Sequence, residues 1–275
     1  MSDSNEKEIE YPEENLSIFE AIWGKGFVSP GGPNEIAELL RNIDLTNLRV
    51  LDIGCGTGGI DIILVRDFGA KHVVGIDVEK PVLEAAQSNV LQAGLSEQIT
   101  LQLVSPGPFP FDDNSFDIVF SKDALLHIPD KSALFTEVLR VLQTGGRFVA
   151  SDWLRGEYDV LSEKMGAFLK LSGHEFDMVT LGSYESRLRE AGFTEVALRD
   201  RNSWYREEAK HELELLRGPL KQEIINKLGR EKSEEYEQSW VAFWEAMVEV
   251  LRSGELRPAH VMASKIKTTR IVDVN

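Results

Sequence analysis

The chain has 275 residues, of which 42% are hydrophobic and 28% charged, with a net charge of −16. That is enough apolar material for one large domain or a domain with a cap, and no apolar run approaches the roughly 20 residues a membrane span needs. The negative excess disfavours nucleic acid and anionic membranes as partners. The lone Cys55 excludes an intramolecular disulfide and a multi-cysteine metal site, and the acidic start "MSDSNEKEIEYPEEN" fits neither a signal nor a transit peptide, so a cytoplasmic protein is expected.

Residues 1 to about 45 are predicted to be mainly helical. From Arg49 the chain alternates between two kinds of stretch. "RVLDIG" is a short apolar run that reads as a buried strand, "GIDIILVRDFG" as a helix ending at Gly69, and "HVVGIDV" as a second buried strand. "EKPVLEAAQSNVLQAG" has helical spacing and stops at Gly94, a C-cap signal. "ITLQLVS" follows as a third strand and "FDIVFSKDALLHI" opens as a fourth. "KSALFTEVLRVLQTGG" reads as a helix with a glycine stop, and "RFVASDW" as a fifth strand. This rhythm predicts an α/β fold with a doubly wound, mostly parallel sheet and helices on both faces. Residues 154 to about 250 are helical and charge-rich, interrupted by the strand-like "GFTEVALRDR"; "AHVMASKIK" reads as a last strand. The two late strands are expected at the far edge of the sheet, with the intervening helices as a lid over its C-terminal side. The aromatic run "SWVAFWEAM" reads as a helix packing face rather than a ligand cage.

The stretch "VLDIGCGTGG" carries the first chemistry. A glycine loop directly after a strand lets a ligand lie against the backbone, at the carboxyl end of the sheet where such folds bind. Gly54, Gly56 and Gly59 also satisfy a dinucleotide fingerprint, and Asp77 ends the second strand, where a carboxylate can accept both ribose hydroxyls. Those features fit NAD and S-adenosylmethionine equally.

The later blocks separate the two. "FDIVFSKDALLHIPD" followed by "LFTEVLRVLQTGGRFVASD" resembles the class I S-adenosylmethionine-dependent methyltransferases, in the same order as "VLDIGCGTGG" and "GIDV". The resemblance implies their Rossmann-like fold, with residues 1–45 as an N-terminal cap and 46–275 as the methyltransferase domain carrying a helical insertion around 154–250. It implies S-adenosyl-L-methionine as cofactor, held by Ser29, Asp52, Gly54, Gly56, Gly58, Asp77, Val78, Ser105 and Lys122. The cofactor's amino-acid end would lie over Gly54 and Gly56, its ribose on Asp77 and its adenine on Val78. Ser105 stands where the family usually has an aspartate.

"EYPEENLSIFEAIWGKGFVSPGG" and "SKDALLHI" narrow the likeness to the phosphoethanolamine N-methyltransferases. That resemblance implies a catalytic pair, Tyr11 and His127, above the methyl group, with Asp123 beside the substrate amine, Phe19 near it, and the "SPGG" turn closing over the cofactor. The chemistry is coherent: an amine protonated at neutral pH must lose its proton before it attacks a sulfonium, and a histidine can take it. The chain departs from the family at the phosphate anchor. Trp153 stands at a tyrosine position, His174 and Phe176 fall where an arginine and a tyrosine belong, and "FWEAMVEVL" holds no lysine. Lys170 and Arg155 are candidate stand-ins. The remaining histidines show no metal-pair spacing, and no metal is expected. The expected activity is methyl transfer to a small molecule, foremost an amine nitrogen. A sulfur or oxygen acceptor and a non-catalytic cofactor-binding protein remain as alternatives.

Overall fold

A computed structural model of the chain describes residues 13–266 except 175, 230, 231, 233 and 235. Two helices, α1 (Glu13–Trp23) and α2 (Gly32–Leu39), precede the sheet. The alternating part then runs β1 (Arg49–Ile53), α3 (Gly59–Arg66), β2 (His72–Asp77), α4 (Lys80–Ala93), β3 (Ile99–Leu103), β4 (Phe116–Lys122), α5 (Lys131–Val141) and β5 (Leu142–Asp152). Beyond it come α6 (Glu163–Ser172), α7 (Leu181–Ala191), β6 (Thr194–Asp200), α8 (Asn202–Arg217), α9 (Lys221–Leu228), a π-helical turn Tyr236–Val241, α10 (Ala242–Ser253) and β7 (Ala259–Ser264).

The seven strands form one sheet in the order β3-β2-β1-β4-β5-β7-β6. β1 pairs in parallel with both β2 and β4, through Asp52↔Gly75 and Asp52↔Phe120. The strand order therefore reverses between β1 and β4, which places a crevice beyond their carboxyl ends. β7 runs antiparallel between β5 and β6, so the two late strands close the far edge as expected. Gly94 caps α4 at φ 71°, the left-handed geometry a glycine supplies at no steric cost. One boundary differs from expectation. α5 ends at Val141, and Leu142 is already extended and paired with Phe116. The glycine pair that reads as a helix stop instead sits in a β-bulge, where the register jumps from Phe116↔Leu142 to Ile118↔Arg147.

Three apolar clusters hold the molecule. On one face of the sheet, Phe135, Val138, Tyr184 and Leu188 of α5 and α7 pack against Phe148 and Val261. On the other, Ile36, Ile60, Ile63 and Val90 of α2, α3 and α4 pack against Val50, Val73 and Phe120. The third cluster stands apart from the sheet faces. It joins α1, α6, α8, α9 and α10 and meets the strand ends through Leu126 and Trp153. Among the described residues no helix is long and apolar enough to cross a membrane.

Candidate active site

The glycine loop is tight because protein atoms fill the space around it. Gly54, Gly56 and Gly58 have φ of 72°, 56° and 80°. A Cβ on Gly54 would lie 2.3 Å from that of Ala124, and one on Gly56 2.8 Å from Cγ2 of Val28. A Cβ on Gly59 would meet the carbonyl oxygen of Gly26 at 2.3 Å, and the same two residues share a backbone hydrogen bond. The segment between α1 and α2 is thus strapped onto the loop, a close approach that the glycine pattern alone does not distinguish from a ligand's.

Asp77 pins the loop from the next strand. Its Oδ2 accepts from Gly56 N–H at 3.1 Å and its Oδ1 from Glu79 N–H at 3.0 Å. Burial raises its pKa, against which the backbone N–H groups and the nearby His127 pull down. Each carboxylate oxygen keeps a further lone pair, so both ribose hydroxyls of a nucleoside have acceptors here. Val78 and Leu103, at the ends of β2 and β3, leave 44% and 50% of their surface exposed. Together they offer an apolar seat for a purine beside that carboxylate. Ser105 lies exposed just beyond them. These features fit a nucleoside cofactor such as S-adenosylmethionine. Asp52, by contrast, is fully buried beneath the loop. Burial raises its pKa and that of the neighbouring Asp61.

The residues after β4 turn back toward the loop. Asp123 sits at φ 54°, an unusual conformation for a non-glycine residue. Its carboxylate is enclosed: Oδ2 accepts from Lys122 Nζ at 2.6 Å, Oδ1 from Ser151 at 2.9 Å, and both oxygens from the Tyr205 hydroxyl at 3.3 and 3.1 Å. Lys122 is itself buried and also donates to Ser29 Oγ at 3.0 Å. Ser29 of the "SPGG" turn, the end of β4 and helix α8 are thereby tied into one polar network. Tyr205 belongs to this network although nothing in its local sequence marks it.

A cavity of about 260 Å³ opens beside this network, lined by Phe19, Ser29, Asp123, His127, Trp153, His174 and Phe176 among others. The structure therefore brings together the acceptor-side residues expected from sequence. His127 stands edge-on to Phe176 and His174, with centroids 5.3 and 5.9 Å away. Tyr11 lies outside the described residues. The aromatic run that reads as a packing face proves to be both face and wall. Trp240, Phe243, Trp244 and Met247 line the cavity, and their i, i+3, i+4, i+7 spacing was the available signal. Among the described residues lining it there is no lysine or arginine. Lys170 is exposed and not among them, and Arg155 spends its guanidinium on the carbonyls of Gly156 and Tyr158.

A family profile for the methyltransferase domain matches residues 44–198. The chain belongs to the methyltransferase domain family. It is 30% identical to phosphoethanolamine N-methyltransferase 1 of Arabidopsis thaliana over 258 residues, 94% of the chain and 50% of that protein. It thus spans about half the length of its plant relatives. The phosphoethanolamine N-methyltransferase of Plasmodium falciparum is 27% identical over 199 residues, 71% of this chain and 73% of that protein. Among solved structures, phosphoethanolamine N-methyltransferase 2 of Haemonchus contortus, in complex with phosphomonomethylethanolamine and S-adenosylhomocysteine, superposes with a TM-score of 0.84 at 25% identity. The match covers 94% of this chain and 59% of that one.

Proposed function

We propose that the protein transfers the methyl group of S-adenosylmethionine to the nitrogen of a small amine that carries no phosphate. The observation that carries this reading is the single cavity edge where His127 and Asp123 meet the strap over the glycine loop, walled by aromatic rings and without a basic side chain among its described lining. When bound, S-adenosylmethionine supplies an electrophilic methyl carbon. Asp77 would accept the ribose hydroxyls, Val78 and Leu103 would seat the purine, and Ser29 with Lys122 would hold the strap closed.

On the acceptor side, Asp123 places a carboxylate at the cavity edge, and its partners Lys122, Ser151 and Tyr205 fix its orientation. His127 takes the amine proton so that the lone pair faces the methyl carbon. Its ring is held by Phe176 and His174. Tyr11 is the residue that would complete the pair with His127. Placing amine and methyl carbon in line at contact distance would supply much of the acceleration. The buried indole N–H of Trp153 has no partner among the described residues, which suits an acceptor that also bears a hydroxyl or carboxyl oxygen. The relatives are named for phosphoethanolamine; the amine-handling end of their reaction suits this cavity, whereas a phosphate would meet tryptophan and phenylalanine in place of bidentate cationic donors.

Calorimetry with S-adenosylmethionine, S-adenosylhomocysteine and NAD, followed by amine-dependent release of S-adenosylhomocysteine, tests the proposal. Binding of the first two and not of NAD, with turnover of an amine, is expected. NAD binding alone, or turnover confined to thiols or carboxylates, would contradict it.

A further inference from the structure

Behind the aromatic wall stands one buried carboxylate. Glu212 of α8 is 1% exposed, and its two oxygens serve two tryptophans of two other helices. Oε1 accepts from Trp23 Nε1–H at 2.6 Å, and Oε2 accepts from Trp244 Nε1–H at 2.9 Å. Both tryptophans line the cavity, with ring centroids 5.9 Å apart. Phe19 stacks on Trp23 at 5.0 Å and Trp240 on Trp244 at 6.1 Å, so the indoles that Glu212 holds continue into a ring surface.

The two contacts suit the ionised form of the group, which prevails above about pH 7. Two indoles offer two donors and no acceptor, and an ionised carboxylate accepts from both. A protonated acid or an amide offers one good acceptor and leaves the other indole N–H poorly satisfied. Lys122 is the cation within electrostatic reach of Glu212, but its ammonium is engaged by Asp123 and Ser29. An anion hydrogen-bonded to indole N–H groups enriches the rings in electron density, and attraction of a cation to a ring face grows with that density and with desolvation.

Each methyl transferred to a nitrogen replaces one N–H group. A quaternary ammonium has no N–H to give Asp123, so ring faces and the field behind them are what remain. We infer that Glu212 is the specificity residue of the acceptor cavity, acting through Trp23 and Trp244 to make it a binding site for alkylated ammonium ions. The inference rests on the amine-methyltransferase reading and names its ligand class: secondary, tertiary and quaternary alkylammonium ions, as acceptors or products.

The test uses two probes of one shape, choline and its neutral isostere 3,3-dimethylbutan-1-ol, titrated at pH 8 into the protein saturated with S-adenosylhomocysteine. The wild type should bind choline about tenfold more tightly, the scale of a desolvated cation–π contact. Glu212→Gln should remove most of that preference and leave the neutral isostere within about twofold of its wild-type affinity. A carboxylate that only braces the helices would weaken both probes equally, and that result, or a wild type without preference, overturns the inference. Should Glu212→Gln fail to fold, Trp23→Phe and Trp244→Phe decide the matter. Each keeps a ring and removes one N–H donor, and each should lower the preference for choline. An undiminished preference in both would contradict the inference. Neither probe is turned over, so the outcome stands apart from the proposal of methyl transfer, which fails separately if S-adenosylmethionine does not bind or no methyl is released to any acceptor.

Discussion

The two sides of the site are made of different material. On the glycine-loop side the geometry is set by backbone: left-handed glycines, a strap whose carbonyl takes the Gly59 N–H, and Asp77 accepting two backbone N–H groups. On the acceptor side it is set by side chains from helices far apart in sequence: rings of α1 and α10 held by a carboxylate of α8, lining the same cavity as His127. A backbone cradle recognises what every member of such a family must bind, whereas a side-chain wall can be exchanged to change the acceptor. On that second side, the described lining of the cavity holds no lysine or arginine.

The largest effect that would break the separation belongs to His127. His127→Ala should lower kcat by about 10²- to 10⁴-fold, the scale of a lost general base, while S-adenosylhomocysteine affinity stays at the wild-type value. A near-normal rate would make the histidine a packing residue. On the other side, Asp77→Ala should weaken S-adenosylhomocysteine binding by about 10- to 100-fold, since a hydrogen bond to a charged group contributes roughly 1.5–3 kcal/mol and 1.4 kcal/mol is a factor of ten. Its effect on choline binding should be negligible; a parallel loss of both would show that the sides are not separable. Gly54→Ala forces a Cβ against Ala124 in a left-handed conformation. Overpacking of about 1–3 kcal/mol is expected, read as a Tm lower by roughly 2–4 °C per kcal/mol. An unchanged Tm would mean that the loop relaxes freely.

The smallest effect is a pH dependence. Burial pushes Glu212 and Asp152 up to about 7; the indoles of Trp244 and Trp23 pull Glu212 down, as Lys131 does Asp152. Both groups lie far above ordinary carboxyl values, so between about pH 4 and pH 7 the native state binds more protons than the unfolded chain. Stability from these groups is present at low pH and lost as pH rises through 7. Tm should therefore fall by a few degrees from pH 5 to pH 8. Asp152→Asn keeps an oxygen for the N–H groups of Leu126 and Trp153 and should flatten the slope. A Tm that rises over this range would contradict the assignment.

The sequence made the first side legible because its signals are local. "VLDIGCGTGG", "GIDV" and the cap at Gly94 each specify a backbone conformation within a few residues, and the parallel pairing of the first five strands follows from the crossover rhythm. The boundary at Val141 was not legible, because the glycines after it suit a helix stop and a bulge equally. The second side depends on pairs distant in sequence. Trp23 and Glu212 are 189 residues apart, and Asp123 and Tyr205 are 82. The spacing of Trp240, Phe243, Trp244 and Met247 reported a single face correctly, but a face that packs and a face that lines a cavity have the same period. Asp52, grouped by pattern with the ligand loop, lies beneath it beside Asp61 because the same β1 residues that lead into the loop also fill the core.

The proposed acceptor is an amine without phosphate, because the described lining of the cavity holds no lysine or arginine. The decisive measurement is kcat/KM, by S-adenosylhomocysteine release, for phosphoethanolamine against amines and amino acids that carry no phosphate. Two missing charge-assisted hydrogen bonds, at about 1.5–3 kcal/mol each, predict that phosphoethanolamine is the poorer substrate by on the order of 10²- to 10⁴-fold. Turnover of phosphoethanolamine as efficient as that of the best unphosphorylated amine would contradict it and would require a phosphate-binding base outside the described cavity wall.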